Sequence, residues 1–466
     1  ALYPYITGNT AATSSAGAVF TSAGTDFTVN TRAVLWQAGD DDGSGGIGIA
    51  NDGIADGHES TDTDPSNNVN LADNTVANNY GQEISTEQVL LSSLLNQPAG
   101  GNNPVLNDSS ANGLRITSFN VTNGIGSSTT ISYPEVGIIE ITSNVNDSDY
   151  LGIGNIETTK FLGKSGFVGR FTPHHFDTVL TDGCTNIAPL TSFTYSGQPV
   201  TVQTIAMNNS ATPAITQNYT DGFAKAVTLS SPTLVAGSFN GTDNILATDF
   251  VNGSYIKTDV TYTFSSKESG PDSTFTIRAT DTEGITSNEP SANEGITNLR
   301  SGRARLENVF GSELTTLIMP LKIEFYSDNA TPADLTDDGF VLNTDDTCTT
   351  YDATFADLTN YSGNLSAGET TVTGSGTVTT GEANITFSAP GTGNEGSVNL
   401  LLNGLSLLNL STNWLSYNWN IDCDNADADN DITTGIDAGL CGPYGIASFG
   451  LYRGDDRIIY QREVFN

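Results

Sequence analysis

Long helix-forming stretches are scarce in these 466 residues, whereas short runs that alternate apolar and polar side chains recur along the chain. A period of two is the signature of a half-buried strand. The stretches between the runs are rich in Gly, Ser, Thr, Asn and Asp, which favour turns. Phe27, Val29, Ala33 and Leu35 show the pattern early. In GIIEITSNV and the residue before it, Ile139 and Ile141 are expected on one face of a sheet, with Val136 and Ile138 on the other. In LKIEFY, Leu321, Ile323 and Phe325 share a face opposite Lys322 and Glu324, so Lys322 reads as a solvent-facing strand residue. The fold class implied is all-β: several tandem antiparallel β-sandwich (Ig-like) domains with long acidic loops. The length exceeds one hydrophobic core, and an apolar fraction of 36% is enough for sandwiches.

Three units are expected, over residues 1–163, 164–296 and 297–466. The first carries an acidic insertion over 38–74, whose sequence from Ala38 to Asn74 has hardly any core-forming side chains. Ser85 to Pro98, STEQVLLSSLLNQP, is the least β-like stretch, though its leucines also fit a strand. Ser287 to Asn298, SNEPSANEGITN, reads as the linker into the third unit, because it lacks an apolar period and holds Pro290 and Gly295. No short-period repeat appears, which disfavours solenoids and propellers.

The formal charge of −37 repels phosphate backbones and anionic headgroups, so nucleic acid is excluded as the expected partner. No apolar run is long enough for a membrane span. The abrupt start at Ala1 reads as a mature product or part of a longer precursor. The four cysteines form an even set without a CxxC pair or zinc-spaced histidines, so disulfides are expected. Cys423 and Cys441 bound one acidic, Gly-containing loop and are paired on that ground, which leaves Cys184 with Cys348. Disulfides imply an oxidising compartment.

Several phrases, in order, resemble the MshQ-type domain, a domain of unknown function named after a protein of the mannose-sensitive haemagglutinin pilus system. They are SYPEVGIIEIT (Ser132 to Thr142), FVGRFTPHHF (Phe167 to Phe176), FTYSGQPVTVQTIAMN (Phe193 to Asn208) and YTDGFAKAVTL (Tyr219 to Leu229). RSGRARLENVFGSELTTLIMPLKIEFY (Arg300 to Tyr326), VLNTDDTCT (Val341 to Thr349) and ASFGLYRGDDRIIYQREVF (Ala447 to Phe465) complete them. The resemblance implies a Gram-negative surface or pilus-associated protein, and it brings no catalytic motif with it.

Two acidic tracts could gather the six to eight oxygens that calcium takes. The first offers Asp40, Asp42, Asn51, Asp52 and Asp56. The second, bounded by the proposed Cys423–Cys441 bond, offers Asp424, Asp427, Asp429 and Asp431, with Asp422 just outside. Neither completes an EF-hand, and Ile432 stands where that loop has Gly. A third group, Asp334, Asp337, Asp338, Asp345 and Asp346, reads as loop acidity. His174 and His175 would point to opposite faces of a strand, one packed and one exposed, which disfavours joint zinc binding.

No nucleophile elbow, HExxH pair, phosphate loop or cysteine-nucleophile signature occurs, so no catalytic activity is expected. Trp36, Trp414, Tyr417 and Trp419 could stack on sugars, but LSYNWN alternates like a strand with a core-facing aromatic side. Arg453 to Phe465, RGDDRIIYQREVF, reads as a turn and closing strand. The expected function is an extracellular surface or pilus-associated structural or adhesion protein, partnered by copies of itself, by pilus or cell-surface components, or by a host or surface glycan. The alternatives are a self-assembling subunit of a filament or surface layer, donating a terminal strand such as ALYPYITG, and a carbohydrate-binding or carbohydrate-processing protein.

Overall fold

The computed structural model describes residues 2–35, 74–152, 154, 156, 166–233, 236–265, 273–327, 339–402, 413–415 and 444–450. Among them the regular structure is strand, with a few 3-10 turns and no α-helix. The fold is a tandem array of β-sandwich units, each with its own apolar core between facing sheets.

In the first unit a four-stranded sheet runs in the order Leu2–Ile6, Phe27–Ala33, Ile125–Ser132 and Asn107–Asp108. It faces a five-stranded sheet of Thr21–Ser22, Val168–Thr172, Gly137–Val145, Val89–Gln97 and Arg115–Ile116. Leu2, Ile6, Phe27, Val29 and Ile131 of one sheet close on Val89, Leu91, Ile139, Ile141 and Phe171 of the other. Each such side chain contributes roughly 1.5–3 kcal/mol when fully buried. The ambiguous leucine run resolves as the strand Val89–Gln97, paired along its length with Gly137–Val145.

Gly137–Val145 buries apolar side chains on both faces at its start, with Glu140, Thr142 and Asn144 following on the second face. Ile139 and Ile141 enter the first core, while Val136 and Ile138 enter the core of the middle unit. The expected passage from first to middle unit at 163–164 lies outside the described residues. Downstream of it, Val168–Thr172 still belongs to the first unit, pairing with Gly137–Val145 on one side and, in parallel, with Thr21–Ser22 on the other.

The middle unit sets His175–Thr181, Val200–Met207 and Ser254–Val260 against Thr194–Tyr195, Gly295–Arg300, Ser273–Asp281, Val227–Ser230 and Asn244–Ile245. The expected linker at 287–298 is not a free tether. Phe176 N–H donates to Thr286 O, Thr178 N–H to Asn293 O, and Arg278 holds Glu294 at 2.7 Å. Residues from Gly295 onward form a strand paired with Ser273–Asp281, so the 296–297 position falls inside one strand. Pro290 and Gly295 mark a loop folded back on its own sheet, and low apolar content here reflects hydrogen bonding in place of core packing.

The C-terminal unit sets Gly302–Leu306, Leu317–Ser327, Glu382–Phe387 and Val372–Thr373 against Val309–Gly311, Tyr444–Phe449, Gly396–Leu402 and Ala356–Thr359. Met319, Leu321, Ile323, Ile385 and Phe387 meet Val398, Leu400, Ala447 and Phe449. Lys322 is half-buried and bonds Glu307 at 2.7 Å. Its neighbour on that face, Glu324, is buried under Arg303 and Arg305, each 2.9 Å away, so this face is roofed by arginines and is not simply solvated.

The terminal strand also departs from expectation. Leu2–Ile6 pairs antiparallel with Phe27–Ala33 of its own sheet and buries Leu2, Pro4 and Ile6. Its alternation serves its own unit, so it is not a free strand for a neighbouring copy.

Candidate functional site

The densest buried polar chemistry lies where successive units meet. At the first joint, Glu135 leaves the turn before Gly137–Val145 and is almost wholly buried. Its Oε1 accepts from the N–H groups of Val136 at 2.8 Å and Asn218 at 3.1 Å. Its Oε2 accepts from Gln217 N–H at 2.9 Å and the Asn102 amide at 3.1 Å. Burial pushes this carboxyl up, and the four N–H donors pull it back toward the ionised form. Asn218 completes the knot: its amide donates to Asn102 O and Val136 O, and its Oδ1 accepts from Asn102 N–H at 2.7 Å.

A second clasp flanks the knot. Arg170 is buried, donates to Gly17 O at 2.9 Å and holds Glu283 in a two-pronged pair at 3.0 and 2.8 Å. Such planar pairing fixes orientation as well as distance. Gly24, at φ +79°, approaches Asn209 and Ser210 so closely that a Cβ would strike their backbone nitrogens at 2.9 Å. The two units therefore meet backbone to backbone there, and Asn209 N–H donates to Ala23 O at 2.8 Å.

The second joint is built on the disulfide between Cys184 and Cys348, which spans 164 residues with Cα atoms 5.7 Å apart. Beside it Arg300 donates to Asn343 Oδ1 at 2.6 Å and Asp345 Oδ2 at 2.8 Å. Its guanidinium lies over the rings of Phe193 and Phe325, 4.5 and 4.7 Å from their centroids. The Asn343 amide donates to the Tyr195 hydroxyl, which donates to Asp346 Oδ2 at 2.8 Å. Asp346 also accepts from the N–H groups of Cys348 and Thr349 and from the Thr349 hydroxyl. Burial, then the Asp346 carboxylate, drives the Tyr195 hydroxyl far above its usual titration range. Gly302 passes against the Tyr195 ring with no room for a Cβ. Cys184, Phe193 and Tyr195, from the middle of the chain, thus pack in the C-terminal core.

This geometry corrects the reading of Asp345 and Asp346 as loop acidity: both are structural ligands of the joint, and Asp346 is fully buried. The two cysteine sulfurs and Asp346 lie close enough to resemble a metal cluster, but sulfurs engaged in a disulfide are not thiolates and hold no ion. Asp40, Asp42, Asn51, Asp52, Asp56, Asp422, Asp424, Asp427, Asp429 and Asp431, the Cys423–Cys441 pair, Asp334, Asp337 and Asp338 lie outside the described residues. So do Trp36, Tyr417, Trp419 and the Arg453 to Phe465 segment. The neck of the first acidic tract is visible: Leu35 N–H donates to Thr75 O and Val34 bridges Val76. Trp414 is half-buried against the C-terminal core.

The histidines also differ from expectation. His174 sits in a bend and only His175 begins a strand, so the rings do not alternate across a sheet. They meet edge to face with their Nδ1 atoms 3.0 Å apart. His175 is fully buried with its Nε2 3.5 Å from Asp177, and burial lowers its tendency to protonate.

Sequence reasoning missed Glu135, Asn218, Arg170, Tyr195 and Arg300 as a group because their partners across the joints lie 43 to 151 positions away. One signal was present. SYPEVG, FVGRF, FTYSG, RSGRARL and VLNTDDTC, the phrases carrying the family resemblance, contain most of the joint residues.

Comparison with known proteins supports a family of unknown function. The chain matches DUF6701 domain descriptions over 5–130 (second domain), 135–301 (third domain) and 300–464 (fourth domain). No curated protein matches. Among solved structures, the adhesin InvE of Yersinia pseudotuberculosis aligns at 10% identity and a TM-score of 0.19, over 49% of this chain and 55% of the adhesin. Zebrafish RET cadherin-like domains 1 to 4 align at 7% identity and a TM-score of 0.18, over 78% of this chain and 65% of theirs. Scores that low carry no argument about function. The three consecutive matches span nearly all of the sequence, and the chain belongs to the DUF6701 family.

Proposed function

We propose that this chain is a non-enzymatic, extracellular or cell-surface arm, whose sandwich units are locked at their joints so that loops are presented at a fixed distance and angle. The observation that carries the reading is the second joint, where a disulfide and the Arg300, Tyr195 and Asp346 network bind residues of two units into one core. A cross-unit disulfide suits an oxidising compartment. Among the described residues no helix is long and apolar enough to cross a membrane. Adhesion and association with pili of the MshQ system are the finer form of this proposal, supported by the sequence resemblance. Calcium held in the acidic tracts and recognition of a surface glycan belong to the same reading. Assembly into a filament is less favoured, because Leu2–Ile6 completes its own sheet.

The test is made on native cells. Surface biotinylation and protease shaving should reach the protein, non-reducing mass spectrometry should recover the Cys184–Cys348 peptide, and a deletion strain should lose attachment to surfaces or cells. A cytosolic, reduced protein would refute the localisation, and unchanged attachment would refute adhesion.

A further inference from the structure

Leu2 enters the first unit at the end remote from the first joint. It pairs with Ala33, whose carbonyl accepts from Ala77 N–H at 2.9 Å, and Ala77 O in turn accepts from Tyr80 N–H at 3.1 Å. Tyr80 is buried there, edge-on to Phe119 at 4.9 Å and stacked on Tyr150 at 5.4 Å. The Tyr150 hydroxyl donates to Glu83 Oε1 at 3.0 Å. The Tyr80 hydroxyl and Glu83 Oε2 are buried and find no hydrogen-bond partner among the described residues. Large apolar side chains stand around them in solvent: Ile84 is fully exposed, Val121 69% and Leu151 64%. Ile84 follows Glu83, and Leu151 follows Tyr150. The Gln82 amide, donating to Phe119 O at 3.2 Å, brings in the loop that carries Val121. Leu151 is held at φ +52°, a backbone conformation uncommon for so large a side chain.

Each of these features has a counterpart at the two joints, where the neighbouring unit satisfies it. Glu135 is a buried carboxylate of the first unit whose oxygens take the N–H groups of Gln217 and Asn218 from the middle unit. Arg170 reaches Glu283 of the next unit, and Arg300 reaches Asp345 of the one after. Apolar side chains cross as well, Val136 and Ile138 at the first joint, Phe193 and Tyr195 at the second. A buried oxygen without a donor bears the full cost of its lost hydration, and exposed apolar side chains grouped about such atoms mark an interaction surface. The end face at Tyr80 and Glu83 has the composition that either joint would show with its neighbour removed.

The family's own domain order names the occupant. The first unit matches the second domain, so in this family a first domain precedes it in sequence, on the side where Leu2 enters. The insertion between Leu35 and Thr75 is a poorer occupant, because it is acidic and the end face already carries Glu83, Glu87, Asp147 and Asp149. A second copy, with a charge of −37, meets the same repulsion. We propose that this end of the first unit is a third joint, the docking face for the family's preceding domain. That domain sets hydrogen-bonding groups, backbone N–H or guanidinium, on Glu83 Oε2 and the Tyr80 hydroxyl, and apolar side chains on Ile84, Val121 and Leu151. The inference extends the arm of locked joints by one unit and rests on that reading, not on adhesion.

The test compares amide hydrogen exchange in the chain 1–466 with that in the longer gene product carrying the preceding domain. Amides of residues 80–87, 119–124 and 147–152 should exchange several-fold more slowly in the longer protein. Ile84→Ser/Leu151→Ser should abolish that protection and leave the melting temperature of the chain 1–466 unchanged, since both side chains are exposed. Val179→Ser/Ile256→Ser, at exposed apolar positions of the middle unit, should keep the protection. Equal exchange in the two proteins overturns the proposal, as does a native gene product without such a domain. Protection already present in the chain 1–466 also overturns it: loss on deleting 38–73 would make the insertion the occupant, and dependence on concentration would make it a second copy. None of these results bears on the Cys184–Cys348 joint or on the surface location, which have their own tests.

Discussion

Arg300 shows how much one cation carries in a chain with 53 acidic and 16 basic residues. It is buried between two phenyl rings and bonded to Asn343 and Asp345. Removing it leaves Asp345 without its ion pair and Asn343 short of a donor inside the joint. Breaking a buried pair in this way costs about 3–5 kcal/mol, so Arg300→Ala should lower unfolding free energy by that order in urea titration, with Arg300→Lys recovering only part. His175 gives a pH prediction whose sign is fixed by its environment. Burial lowers its folded-state pKa below 6.5, so the unfolded chain binds the proton first. Its contribution is fully present above the unfolded pKa and is lost as pH falls through it toward the folded value. His174, Asp177 and Glu289 are the titratable groups acting on it. Melting temperatures from about pH 8 to about pH 5 should fall more steeply in wild type than in His175→Phe; parallel curves would contradict this.

Strands are the legible elements. Phe27–Ala33 and the two-faced Gly137–Val145 follow directly from alternation, and Cys184 with Cys348 is what remains of four cysteines once Cys423 and Cys441 are assigned to their shared loop. Val89–Gln97 is ambiguous in sequence because adjacent leucines give no clean period, and pairing with Gly137–Val145 decides it. The joints are not legible, since a polar residue announces a long-range partner by no local pattern. Asp346 looks like any loop acid until Tyr195 is placed beside it. The histidine pair misleads because a bend at His174 breaks the strand geometry that its sequence suggests. The edge strand Leu2–Ile6 offers a test at this scale. Leu2→Asp puts an unpaired charge in the first core and should cost about 3 kcal/mol or more. Deleting residues 1–6 should expose the edge of Phe27–Ala33 and promote association, read by light scattering.

For the whole molecule, the disulfide limits how far the unfolded chain can spread. Closing 164 residues corresponds to about 5 kcal/mol in the chain-entropy description, with about 2–4 kcal/mol typical in practice. Cys184→Ser/Cys348→Ser should therefore lose about 2–5 kcal/mol by denaturant titration. An unchanged midpoint would mean that the polar network alone holds the joint.

The strand that lends one face to each of two cores bears on ancestry as well as stability. The family's second-domain match ends at residue 130 and its third begins at 135, immediately upstream of Gly137–Val145. A gene segment cut at that border would carry Ile139 and Ile141 away from the leucines they cover, and would strip the preceding unit of two strands of its sheet. These modules cannot be traded singly like beads on a string. Duplication or exchange preserves a foldable product only when the neighbour travels with it.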